Sequence, residues 1–193
     1  MVRFARMLTA AIAFLAAGAN ALAVGEARVT LVPWEVLDPA EPVDAPLVLF
    51  WIPATPDELR RSELLTSYDL TLFSSRCVAM RVVRFNDSAR LTRLDVGPDV
   101  PMVVLTDREG TVLGRVEAED GELPVSEVEE LVREALDERE AHADALLDRA
   151  RERAAGHDHA TAMTLYQQVW AERCVCPRQG RDAKRAMRKL ERK

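Results

Sequence analysis

Residues 47–58 read Leu47-Val48-Leu49-Phe50-Trp51-Ile52-Pro53-Ala54-Thr55-Pro56-Asp57-Glu58, and the two halves of this stretch obey different rules. The first half is six apolar residues without a polar break, bounded by Pro46 and Pro53. A strand with one wet face alternates, whereas an unbroken apolar run of this length suits a strand covered on both faces. The second half carries helix-start chemistry. Thr55 suits an N-cap, Pro56 the first helical position, and Glu58 the place from which a carboxylate closes a capping box. The acids of this first turn also suit the helix dipole. The expectation is a helix starting at 56 and running to about Thr66, with Ser67 capping a further short helix through Phe73.

Working outward, Cys77 to Val83 alternates and is rich in β-formers, which predicts a second strand with Cys77 as a buried structural cysteine. Asn86 to Gly97 reads as loop or weak helix. Met102 to Thr106 and Thr111 to Val116 flank the turn signal Asp107-Arg108-Glu109-Gly110 and predict a hairpin. Ser126 and Glu129 form a second capping box, after which Val128, Leu131, Val132, Ala135 and Leu136 recur at helical spacing. Upstream, the apolar stretch Val29 to Val32 leads into an acidic segment holding Pro33, Pro39, Pro42 and Pro46. Strand, helix, strand, helix, hairpin, helix is an α/β order. It predicts a mixed sheet flanked by helices.

The remainder is helical. Residues 127–155 are rich in Ala, Glu, Leu and Arg, as one long helix or as two meeting near 137, with Gly156 as C-cap. His159 to Arg173 places Ala162, Leu165, Tyr166, Val169 and Trp170 on one face. Cys174-Val175-Cys176-Pro177 breaks the pattern, and Gln179 to Leu190 aligns Ala183, Ala186, Met187 and Leu190.

At the other end, Arg3 and Arg6 precede an apolar run from Met7 to Ala17, followed by small residues at Ala19, Ala21 and Ala23. This is the pattern of a cleavable signal peptide over 1–23. Spanning a bilayer takes about 20 apolar residues, so the run is short for an anchor. The reading is a periplasmic or secreted protein with no stable membrane anchor after cleavage. The chain carries a net charge of -6, unevenly spread: Glu117 to Glu140 holds eleven acids, whereas Arg178 to Lys193 holds eight bases and two acids. A basic tail suits anionic lipid or nucleic acid. The preferred reading is a solvated helix whose cations pair with the acidic segment, and export argues against nucleic acid.

Leu47 to Ile52 followed at once by a capped helix resembles the thioredoxin fold. Val100-Pro101-Met102-Val103-Val104-Leu105-Thr106-Asp107 with Gly110 is similar to that fold's signature proline, central strand and hairpin, and Trp34 to a feature of exported relatives. The resemblance covers roughly residues 28–137. It implies a thioredoxin-like domain over 24–137, with Pro101 as the cis proline and a peptide groove involving Trp51 and Pro101. Gly156, Asp158, Ala162 and Tyr166 resemble a tetratricopeptide unit, making 138–193 a tetratricopeptide-like helical extension of one visible unit.

Thioredoxin chemistry needs two cysteines, two residues apart, where the first helix starts. Here Thr55 and Glu58 occupy those degenerate positions. Thr55 lacks a partner base, because no histidine lies in residues 1–141. The expectation is a redox-inactive, non-enzymatic module that binds a protein or peptide along the groove, without a cofactor. Two rivals stay open: a thiol–disulfide oxidoreductase using Cys174 and Cys176 as catalytic residues, their thiolates favoured by Arg173 and Arg178, and a structural subunit of an envelope complex. No metal site is expected, since His157 and Cys174 lie at opposite ends of one helix, about 25 Å apart at 1.5 Å per residue. Partner identity and oligomeric state are not readable from the sequence.

Overall fold

The structure is a computed structural model and describes residues 31–192 apart from 40, 85, 98 and 99. The expected signal peptide lies outside the described residues. Five strands form one sheet: β1 (Glu35–Val36), β2 (Leu47–Ile52), β3 (Val78–Val82), β4 (Met102–Asp107) and β5 (Val112–Glu117), in the spatial order β1-β3-β2-β4-β5. β1, β3 and β2 run parallel, and β4 and β5 are antiparallel to their neighbours. The fold is α/β, a mixed sheet flanked by helices, with further helices extending the C-terminal end.

The unbroken apolar run lies at the centre. All of β2 is buried, with Leu49 level with Met80 on one side and Leu105 on the other. Side chains alternate across a strand. Leu47, Leu49 and Trp51 therefore enter the core on one face of the sheet, and Val48, Phe50 and Ile52 enter the core on the other.

The single helix expected over 56–66 is broken into α1 (Glu58–Arg61) and a 3-10 turn (Glu63–Leu65). Ser62 is the cause: it is extended at ψ 138°, and its hydroxyl accepts from the Leu64 N–H at 3.2 Å, restarting the chain in a new direction. Ser67 does cap α2 (Tyr68–Ser74), accepting from the Leu70 N–H at 3.0 Å. The Ser67 hydroxyl donates to Glu129 at 2.6 Å, and the expected Ser126–Glu129 capping box does not form because the long helix that follows starts at Val125 with Pro124 at its N-cap, which puts Ser126 inside the first turn. α3 (Ser88–Arg93) starts at Asp87, whose carboxylate accepts from the Arg90 N–H at 3.1 Å.

α4 is one continuous helix of 31 residues, Val125–Ala155, and runs straight through the expected domain boundary at 137. Val128, Val132 and Leu136 on its first half and Ala143, Leu147 and Ala150 on its second belong to one apolar cluster that reaches from Leu47 to Ala183. Gly156 stands at its C-cap, but the left-handed turn falls one residue later, at His157 with φ 64°. Asp158 then caps α5 (His159–Ala171), and Thr161, donating to it, holds that carboxyl below its usual range. α6 (Pro177–Leu190) crosses so close to the end of α5 that a Cβ on Gly180 would sit 2.8 Å from the Arg173 Cα.

Cys77 corrects its expectation. It precedes β3 rather than lying in it, takes a left-handed φ of 59°, and is disulfide-bonded to Cys174 across 97 residues, with Cα atoms 5.8 Å apart. Beside it, Arg76 donates to the Val175 carbonyl at 2.7 and 3.0 Å and pairs with Glu140. Among the described residues, no helix is long and apolar enough to cross a membrane.

Candidate functional site

Three segments converge at one end of the sheet: the turn from β2 into α1, the start of β4, and the loop after β5. The Val100–Pro101 peptide bond is cis, and the buried Pro101 carbonyl accepts from the Ala118 N–H at 3.1 Å. The loop after β5 is closed by reciprocal backbone bonds between Glu119 and Glu122, each 2.9 Å, with Asp120 and Gly121 both at positive φ. Between these segments lies an open groove of about 380 Å³ whose walls include Thr55, Glu58, Arg61, Pro101, Glu122 and Leu123.

Thr55 is exposed and does not cap the helix. Asp57 holds the N-cap position, in helical geometry and without a side-chain cap bond. Neither half of the expected Thr55–Glu58 capping box forms; a Glu58 oxygen instead accepts from the Ala54 N–H at 3.2 Å. α1 buries no side chain, so this wall presents its hydroxyl and carboxylates to solvent. Asp57, Glu58, Glu63 and Glu122 outnumber Arg61 around the groove and make it acidic.

The structure thus brings Thr55, Glu58 and Pro101 together, but not Trp51. That ring is fully buried with Leu47 and Leu49, 5.4 Å edge-on from Trp34, so it is a core residue and not a wall of the groove. The strand's alternation directs it inward. Trp34, whose indole N–H donates to the Leu64 carbonyl at 2.9 Å, anchors the segment ahead of the sheet.

Among the described residues that line the groove there is no sulfur. Cys174 and Cys176, the couple of the rival oxidoreductase reading, are not bonded to each other: Cys174 bonds Cys77, and Cys176 is free and fully buried. Burial, aided by Glu140 and opposed by Arg76, pushes the Cys176 thiol up to about 11. A thiol protonated at neutral pH is a poor nucleophile. Among the described residues, no group of three or more His, Cys, Asp or Glu side chains is placed to hold a metal ion.

Two parts of the groove escaped sequence reading: Ser62–Glu63, hidden inside an expected helix, and Glu122–Leu123. The one signal for the latter was the Gly121–Pro124 loop pattern. The groove offers hydrogen bonding from Thr55, charge from its carboxylates, and apolar contact at Leu123 and Pro101. No protein-family model matches the chain, and no curated protein matches it.

Proposed function

We propose that this is an exported, thioredoxin-like protein that has lost redox chemistry and uses the groove beside Pro101 to hold an extended protein segment without a covalent step. The observation that carries the reading is the pairing of Thr55 and Glu58 with Pro101 across an open groove with no sulfur among the described residues that line it. Strand order and the position of Pro101 before β4 favour the thioredoxin-like assignment. The Cys77–Cys174 bond favours an oxidising compartment, periplasmic or extracellular, because such bonds persist there and are rare in reducing ones. The surplus of carboxylates favours a neutral or cationic segment over an acidic one. α4 and α5 make a single tetratricopeptide-like hairpin that buttresses the sheet through a shared core, rather than a repeat array.

The test is a peptide array probed with the chain from residue 24 onward, which retains every described element. Binding weakened at least tenfold by Leu123→Asp or Glu122→Lys supports the reading. Absence of binding, or binding indifferent to both substitutions, removes it. Reduction of an insulin-type substrate that disappears in Cys174→Ser would transfer the function to the thiols.

A further inference from the structure

α6 separates its side chains by kind. At 100° per residue, Arg178, Arg181, Lys184, Arg185, Arg188 and Lys189 all fall within an arc of roughly 140°. Every one of them is exposed. The opposite arc carries Gln179, Gly180 and Ala183, which are buried, and Ala186, Met187 and Leu190, which pack against the core. A basic face is ordinarily a solvated one, balanced by acids from neighbouring elements. The acidic stretch 117–140 does not supply that balance: its ion pairs go to Arg76 and Arg133. Only two cations of α6 are paired among the described residues, Arg178 with Asp144 and Arg185 with Asp182, its sole acid. Lys184 lies over the Trp170 ring, 4.7 Å from its centroid, and Arg181, Arg188 and Lys189 carry no ion pair among the described residues, in a chain whose net charge is -6.

Beside this face, between the second half of α4 and α6, opens a cleft of about 510 Å³. Arg151, Arg185 and Lys189 line it against the single carboxylate of Asp182, with Tyr166 in its wall. Arg151 is paired with Asp148 and Arg185 with Asp182, which leaves Lys189 as the cation of the lining without an ion pair; together they make a cationic cleft of a size that suits a phosphodiester group.

We propose that the basic face of α6 is a docking surface for an anionic lipid bilayer, with the neighbouring cleft receiving a headgroup phosphate. The cationic arc contains no apolar or aromatic side chain. The nearest aromatic, half-buried Trp170, is already covered by Arg173 and Lys184, so the face lacks both the buried anchors that organise a protein interface and an open stacking platform for single-stranded nucleic acid. What it offers is uniform charge along a convex helix, complementary to a plane of headgroups. Adsorption is electrostatic, without insertion, and falls off within a Debye length.

The experiment is co-sedimentation of the chain from residue 24 onward with vesicles of phosphatidylcholine alone or mixed with phosphatidylglycerol. Binding is expected only to the mixed vesicles, and to be lost between low and high salt. Each cation near an anionic surface strengthens binding roughly fivefold, so Arg181→Gln, Lys189→Gln and Arg188→Gln together should weaken it on the order of 100-fold. The equally charged control Arg60→Gln, Arg93→Gln, Arg108→Gln, elsewhere on the molecule, should leave it intact. Equal binding to neutral vesicles, no vesicle binding, or equal losses in both triple variants overturns the proposal. So does retention on RNA in preference to vesicles at matched ionic strength. Should the α6 variant not fold, the salt and lipid dependence of the unmodified chain decides alone.

Discussion

Two neighbouring stretches of the sheet domain put their side chains to opposite use. From Pro53 to Glu63 the chain leaves β2 through broken helical turns, with no buried side chain in α1 and its hydroxyl and carboxylates turned outward. From Arg76 to Cys77, just ahead of β3, every functional group is committed inward: Arg76 to the Val175 carbonyl and Glu140, Cys77 to Cys174. In the first stretch polar groups remain available to a ligand. In the second, a cation and a sulfur are consumed in fixing the C-terminal helices to the sheet. A reactive thiol needs exposure and a stabilised thiolate. Here the free thiol, Cys176, is buried, and the half-buried Cys77 and Cys174 are bonded to each other where the linkage serves architecture.

The strongest challenge to that contrast is to remove the bond. Cys77→Ser with Cys174→Ser opens a cross-link spanning 97 residues. On the chain-entropy model this costs about 4–5 kcal/mol, read as a fall in denaturation midpoint, while groove binding persists wherever the protein is folded. A loss under about 1 kcal/mol would show that the junction holds without it. Gly180→Ala comes next. Its Cβ would meet Arg173 at 2.6 Å, and displacing α6 from α5 should cost about 1–3 kcal/mol by chemical denaturation. Ser67→Ala removes both the α2 cap and the bond to Glu129 that ties the groove side to α4, for about 1 kcal/mol.

The smallest effect is one of pH. The Cys176 thiol rises from an ordinary 9.0 to about 11 in the fold, so the unfolded chain ionises first. Stability is then unaffected by this group in neutral solution and declines as pH climbs from 9.0 towards about 11. In Cys176→Ala that part of the decline should vanish from urea midpoints measured across the window.

The pieces legible in sequence were those governed by local rules. Leu47–Ile52 and Met102–Asp107 announce buried strands by composition, Ser67 announces its cap, and the turn at Gly110 (φ 86°) announces the hairpin. The pieces not legible depend on distant partners. β1 is two residues long, too short to show a period, and exists because β3 pairs with it. Three cysteines do not reveal which two meet; the 77–174 bond follows from where α5 delivers Cys174. Trp51 sits in a run apolar on both faces, so nothing local distinguishes core from groove. The groove was half visible: Thr55, Glu58 and Pro101 were marked by the resemblance, whereas Glu122 and Leu123 arrive from a loop whose path is set by the Glu119–Glu122 bridge.

At 1.5 Å per residue, α4 is a rod about 46 Å long. It underlies the sheet at one end and carries α5 and α6 at the other, without a joint between them. A tether would let the two ends of the protein wander independently; a rod gives them a constant bearing and standoff. Fixing the position of the last helix therefore also fixes the height and heading of the opposite end.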